Sequence, residues 1–153
     1  MLFNLALGIG TMIVCLLLQG ILVVAALRYY SRRYERMSTT FMAAMRVTAG
    51  LMLILIIGNL AQAAAWALLF MALGEFGSFT EAFYFSTVNF ATLGYGDIVM
   101  SEAHRVLGPL EAVNGVLMIG VSTAALSRTF QEVVKFRVHR GSEELPRVPT
   151  NGD

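Results

Sequence analysis

The chain has 153 residues, of which 57% are hydrophobic and only 14% charged, and its formal net charge at pH 7 is +1. This composition is too apolar for an ordinary soluble domain and predicts a membrane protein. The small net charge excludes the basic footprint of a nucleic-acid-binding protein. The single cysteine, Cys15, lies in an apolar run, which excludes a disulfide framework within one chain and predicts a small buried residue.

Three apolar segments are long enough to cross a bilayer, which takes about 20 helical residues. They cover approximately residues 5–27, 47–73 and 106–130. Because backbone polar groups in hydrocarbon must be satisfied internally, these segments are predicted to be helices, and the fold class is an all-α membrane protein. We interpret the first segment as a retained anchor at the periphery. Asn59 and Gln62 in the second segment are predicted to form interhelical hydrogen bonds.

The basic residues predict the orientation in the membrane. Ten of the eleven lie between the first two segments, or at and after the end of the third. The loop between the second and third segments instead carries acidic residues, Glu75, Glu81, Asp97 and Glu102. We therefore expect a multi-pass protein of the cell membrane, of the prokaryotic inner-membrane type, with the N-terminus outside and the C-terminus in the cytoplasm.

The loop between the second and third segments contains a helix that is too short to span. Ser78 followed by Glu81 forms a capping-box pattern, which predicts a helix of about residues 79–91. At about 13 residues this helix reaches only about 20 Å. The chain must then return as irregular backbone, and the returning stretch reads ATLGYGDI, residues 91–98.

The order of helix, re-entrant helix, TLGYGD and helix resembles the pore module of potassium channels, whose filter signature is T-x-G-Y-G-D. The resemblance implies a homotetramer with one central pore in the lipid bilayer. It also implies that backbone carbonyls replace the water around a potassium ion, the permeant ligand, and that no cofactor is needed. The implied potassium-coordinating residues are Thr92, Leu93, Gly94, Tyr95 and Gly96, with Asp97 at the outer mouth.

The resemblance also assigns residues that support the filter. Tyr84 and Phe85 are expected to brace the Tyr95 ring, and Val88 occupies a position that some members fill with glutamate. Glu111, an acid within the third segment, is expected to bond groups behind the filter; the alternative is an acid solvated near the outer interface. His104 and Arg105 are expected to be solvated at the headgroup level and are given no role.

Three residues depart from the commonest pattern of the family. Leu93 replaces the usual valine, Ala91 replaces a frequent threonine, and Val88 stands where some members have glutamate. None of these changes removes a carbonyl, so selectivity is still expected. The three changes bear instead on the stability of the filter, which the resemblance does not fix.

The third segment contains GVLMIGVSTAAL, residues 115–126, which resembles the inner helix of small prokaryotic potassium channels. Gly115 and Gly120 are candidate hinges, and the alternative for both is close helix packing. Helical spacing places three residues on one face that is assigned to the water-filled cavity, namely Val116, Ile119 and Thr123.

The predicted organisation is an anchor and basic linker (1–46), a pore domain (47–130) and a short cytoplasmic tail (131–153). The first segment lacks an arginine ladder, which predicts weak voltage dependence. The tail stretch KFRVHR, with His139, is a candidate sensor of anionic lipid or of protons. The predicted function is passive potassium conduction and no enzymatic activity. The alternative is a non-conducting regulatory subunit that uses the pore fold to assemble with other channel subunits.

Overall fold

The computed structural model describes residues 2–34 and 41–143, and in those ranges it has helices joined by loops and no strand. The four helices are α1 (Leu2–Tyr34), α2 (Phe41–Ala72), α3 (Phe79–Phe90) and α4 (Leu107–Glu143). Stretches of three helices are long and apolar enough to cross a membrane, namely Leu2–Arg32, Met45–Ala72 and Leu107–Gln131. The all-α membrane class is therefore confirmed, with three spanning helices and one short helix.

The last helix is longer than the third apolar segment. It continues as one helix beyond the predicted span to Glu143. The side chains of residues 135–140, which include the predicted lipid or proton sensor, lie outside the described residues, as do residues 35–40 of the linker and 144–153 of the tail.

An aromatic cluster fixes the short helix α3 against α2. The Phe85 ring of α3 lies 5.6 Å from Phe70 of α2 and 5.0 Å from Phe76, measured between ring centroids. Trp66 packs on Phe70 at 5.8 Å, and these rings are buried. Aromatic pairs at such separations add to the stability from buried area alone. The cluster therefore anchors the helix that leads into the TLGYGD stretch.

Helix α1 packs against both α2 and α4. Cys15 is buried beside the aromatic cluster, as predicted for a small apolar residue. Near the start of α1, the Asn4 side-chain amide donates to the Ala103 carbonyl oxygen at 2.5 Å. The N-terminal end of α1 therefore lies at the same end of the helix bundle as the loop that follows TLGYGD.

Candidate functional site

The start of α3 follows from its capping residue. The Ser78 hydroxyl accepts the Glu81 backbone N–H at 3.3 Å, which satisfies one of the free donors of the first turn. The capping pattern in the sequence therefore predicted the correct first residue, Phe79. The helix has 12 residues, which is too few to cross a bilayer.

Two backbone hydrogen bonds cap the C-terminal end of α3, directly before the candidate filter. The Leu93 N–H donates to the Val88 carbonyl at 2.9 Å, and the Thr92 N–H donates to the Asn89 carbonyl at 2.8 Å. This is the Schellman pattern, which places a residue with left-handed backbone just after the helix. That residue is normally glycine, but here it is Thr92, with φ of 59°.

The backbone of residues 92–96 alternates in handedness. Thr92, Gly94 and Gly96 have φ of 59°, 56° and 73°, and Leu93 and Tyr95 between them are not in the positive-φ region. In an ordinary strand successive carbonyls point to opposite sides. A left-handed residue at every second position counters this alternation. A β-branched residue rarely adopts the positive φ of Thr92, so this backbone is strained. Strained backbone of this kind is typical of functional sites.

The predicted ion-binding stretch is open on one side of a single chain. The Leu93 and Tyr95 side chains are 54% and 64% exposed, respectively. Exposed large apolar side chains on a membrane protein mark surfaces covered by lipid or by other protein. The stretch therefore does not form an enclosed site by itself.

Behind the mouth of this stretch, the Tyr84 hydroxyl donates to the Asp97 carboxylate at 2.7 Å. This hydrogen bond lowers the pKa of Asp97, because it favours the charged carboxylate. The same bond raises the pKa of Tyr84, whose proton it holds. The structure therefore joins Tyr84 to Asp97, whereas the resemblance to potassium channels predicted that Tyr84 braces the Tyr95 ring.

The predicted bracing of Tyr95 by Phe85 is not seen within one chain. The Phe85 ring packs towards Phe70 and Phe76, on the side of α2. Bracing of the exposed Tyr95 ring would need neighbouring copies and stays a prediction. A recess of about 390 Å³ lies between α3, the start of α4 and residues 94–100, and Val88 lines it.

Glu111 of α4 lies inside the helix bundle. Its side chain is fully buried, and one carboxylate oxygen accepts a hydrogen bond from the Ser86 hydroxyl of α3. The alternative of an acid solvated near the outer interface is therefore wrong. Its second oxygen and the Asn114 amide, one turn further along, have no hydrogen-bond partner among the described residues. Glu111 thus ties α4 to the helix that carries the candidate filter.

The two candidate hinge glycines have different surroundings. A Cβ at Gly115 would lie 2.8 Å from the carbonyl carbon of Phe90, and closer still to its oxygen, so only glycine allows α4 to approach the end of α3. At Gly120 a Cβ would meet no atom of the described residues within 4 Å. Close packing therefore explains Gly115 but not Gly120.

The predicted cavity face of α4 is unpartnered in one chain. Val116 and Ile119 are exposed large apolar residues, and Thr123 is also exposed. The three share a face, as the helical spacing predicts. Their assignment to a water-filled cavity stays a prediction.

An acidic residue just after α2 holds the loop that follows TLGYGD. The Glu75 carboxylate accepts the Ser101 backbone N–H at 2.7 Å and the Ser101 hydroxyl at 2.5 Å, and lies 2.5 Å from His104 Nδ1. Burial raises the pKa of Glu75, but the hydrogen bonds from Ser101 and His104 outweigh it and leave the pKa below its ordinary 4.5. His104, which was expected to be solvated, has a side chain that is 22% exposed and that contacts Glu75.

We expect Glu75→Gln to lower the thermal midpoint of the protein in detergent at pH 7. Because the pKa of Glu75 is lowered on folding, its contribution is present above pH 4.5 and is lost as the pH falls below this value. The wild type should therefore lose stability on acidification below pH 4.5, and the variant should lose less. Hydrogen bonds to a charged group contribute about 1.5–3 kcal/mol.

The matched control for this variant is Glu102→Gln. The Glu102 side chain is 91% exposed and its contact to Arg105 is long, at 3.4 Å. Exposed pairs of this kind contribute little. Equal thermal midpoints for the two variants at pH 7 would contradict the role of Glu75.

Comparison with known proteins agrees with this geometry. The sequence profile of a family described as "Ion channel" matches residues 11–132, which is most of the chain. The chain belongs to this ion channel family. Membership points to a channel rather than to an enzyme, and the channel resembles potassium-channel pore modules, as the sequence analysis indicated.

A curated relative of this channel is the inward rectifier potassium channel Kirbac3.1 of Paramagnetospirillum magnetotacticum. The two are 35% identical over 74 residues, which cover 44% of this chain and 25% of the relative. The channel therefore spans about a quarter of the length of that relative. No solved structure matches the chain.

Sequence reasoning missed two groups of contacts around the pore module of this channel. The first is the Glu75 contact to Ser101 and His104, whose members lie far apart in sequence. The second joins Gln19 of α1 to α4. Gln19 carried a signal that could have been read, because an amide in the middle of an apolar span must find a polar partner.

Proposed function

We propose that this channel conducts potassium selectively and passively as a homotetramer. The observation that carries the proposal is the alternating left-handed backbone at Thr92, Gly94 and Gly96 within TLGYGD. Such a backbone can present successive carbonyl oxygens to one side, where they replace the hydration shell of an ion. The similarity to an inward rectifier potassium channel supports the choice of ion.

The fourfold assembly is supported by the incomplete ion coordination and the exposed apolar side chains of a single chain. One stretch of carbonyls can contact an ion from one side only, so coordination all around it requires several copies about an axis. The exposed Leu93 and Tyr95 side chains are surfaces that neighbouring copies would cover.

The short helix α3 supports a cation at the inner end of this stretch. Its C-terminal end leads into Thr92 with only Ala91 between them. The carbonyl end of a helix carries partial negative charge, which stabilises a nearby cation. At the opposite end, the ionised Asp97 adds negative charge at the outer mouth.

We propose the orientation that the charges predict, with the N-terminus outside and the C-terminus in the cytoplasm. The Asn4 contact to Ala103 supports the outer location of the N-terminus if the filter mouth faces outwards.

In a Cys15→Ser background, an impermeant thiol reagent should label Val99→Cys in intact cells, and Arg32→Cys only after permeabilisation. The reverse labelling pattern would contradict the orientation.

The experiment that tests conduction uses liposomes that contain only the purified protein. Potassium-loaded liposomes should lose potassium down its gradient, and sodium-loaded liposomes should retain sodium. Absence of flux from protein shown to be folded and tetrameric would contradict the proposal and favour the non-conducting subunit.

A further inference from the structure

Four polar side chains meet between three spanning helices. The side-chain amide of Gln62 in α2 donates to the side-chain oxygen Oε1 of Gln19 in α1 at 2.6 Å. The side-chain amide of Gln19 in turn donates to the Ser122 hydroxyl of α4 at 2.7 Å. Asn59 of α2 also contacts the Ser122 hydroxyl, at 3.3 Å. The prediction that Asn59 and Gln62 are interhelical partners is confirmed. We name Gln19, Asn59, Gln62 and Ser122 the polar latch.

Within the polar latch, Gln62 fixes the direction of the Gln19 side chain. Gln19 and Gln62 are 1% and 0% exposed, so neither amide can exchange its partner for water. Because the side-chain oxygen of Gln19 accepts a hydrogen bond from Gln62, the side-chain nitrogen of Gln19 faces α4. In an apolar environment such a bond resists separation of the helices, because the freed groups would lack partners.

The polar latch acts on one turn of α4. The Gln19 amide also lies 3.5 Å from the Met118 carbonyl, and the Ser122 hydroxyl donates to this same carbonyl at 2.9 Å. In a helix the Met118 carbonyl accepts from the backbone N–H of Ser122. The Gln19 side chain therefore contacts both ends of the turn from Met118 to Ser122.

The turn between Met118 and Ser122 contains Gly120. Among the described residues, no neighbouring atom requires glycine there, in contrast to Gly115. Glycine in a helix interior lowers helix stability by about 1 kcal/mol relative to alanine. The polar latch therefore holds a turn of α4 that its glycine makes easier to bend.

We propose that Gln19 is a positioning residue that holds α4 unbent at Gly120, so that α1 regulates the opening of the pore rather than serving only as an anchor. The inference rests on the proposed conduction function. In the structure the polar latch is formed and α4 runs as one uninterrupted helix. Bending at Gly120 would move the part of α4 beyond Ser122 and widen that end of the pore, so loss of the latch favours opening.

The test compares the wild type with Gln19→Leu and Ser122→Ala in planar bilayers. Each variant should raise the ratio of open to closed time about tenfold, and the double variant should exceed neither by more than about twofold. The reversal potential should not change. The matched control is Thr11→Val, because the Thr11 hydroxyl bonds the Leu7 carbonyl of its own helix and no other group among the described residues. An unchanged or lowered ratio in Gln19→Leu, or effects that multiply in the double variant, would overturn the proposal.

A second readout does not depend on ion flow. Backbone hydrogen exchange of residues 116–126 should become faster in Gln19→Leu and Ser122→Ala than in Thr11→Val, because exchange reports local opening of the helix. Ser122→Ala removes only a hydroxyl and keeps the test available if Gln19→Leu does not fold. If the wild type does not conduct but the two variants exchange faster, the latch is retained and the conduction function is rejected. Unchanged exchange would reject the latch alone.

Discussion

Gly94→Ala should abolish selective potassium flux while leaving the fold intact. Gly94 has φ of 56°, a conformation that costs a residue with a Cβ about 1–2 kcal/mol. Four copies would contribute about 4–8 kcal/mol in the proposed tetramer. Since about 1.4 kcal/mol is a factor of ten, the population with an intact filter should fall more than a hundredfold.

The measurement is potassium flux into liposomes together with the circular dichroism spectrum of the same preparation. The matched control is Gly10→Ala, because Gly10 is a glycine of α1 where an added Cβ would meet no atom within 4 Å. This control should conduct as the wild type does. Selective flux of wild-type size in Gly94→Ala would contradict the assignment of the ion-binding stretch.

Gly115→Ala should destabilise the protein strongly. The added Cβ would meet the Phe90 backbone, and backbone atoms cannot rotate away as the end of a side chain can. Helix α4 would have to move away from the end of α3, directly before the candidate filter. Overpacking of this kind typically costs about 1–3 kcal/mol, and the backbone contact places this case at the upper end.

The control on the same helix is Gly120→Ala, which gains the same helix propensity and meets no atom within 4 Å. Its thermal midpoint in detergent should not fall, whereas that of Gly115→Ala should fall by several degrees. Similar midpoints for the two variants would show that the close approach of α4 to α3 does not matter for stability.

The sequence predicted the parts of the fold that depend on local physical rules. Length and apolarity located the spanning helices to within a few residues, and Ser78 with Glu81 located the start of α3. The TLGYGD stretch was predicted to be irregular because the helix before it is too short to span, and its two glycines have positive φ.

The contacts that the sequence did not predict depend on tertiary structure. Whether Gly115 packs or bends depends on the Phe90 carbonyl, which no spacing rule locates. Similarly, the hydrogen bond to Ser86 decides between a buried and a solvated Glu111, because an acid two turns inside a span is compatible with both. The left-handed backbone of Thr92 was also unexpected, since glycine is the usual residue at that position.

The reversal potential of the purified channel tests potassium selectivity most directly. A planar bilayer containing only this protein is placed between a solution high in potassium and low in sodium and one high in sodium and low in potassium, with equal chloride on both sides. Because carbonyl coordination within TLGYGD is proposed to favour potassium, the current should reverse close to the potassium equilibrium potential. A reversal potential near zero would show that the pore does not distinguish the two ions and would contradict the proposed function.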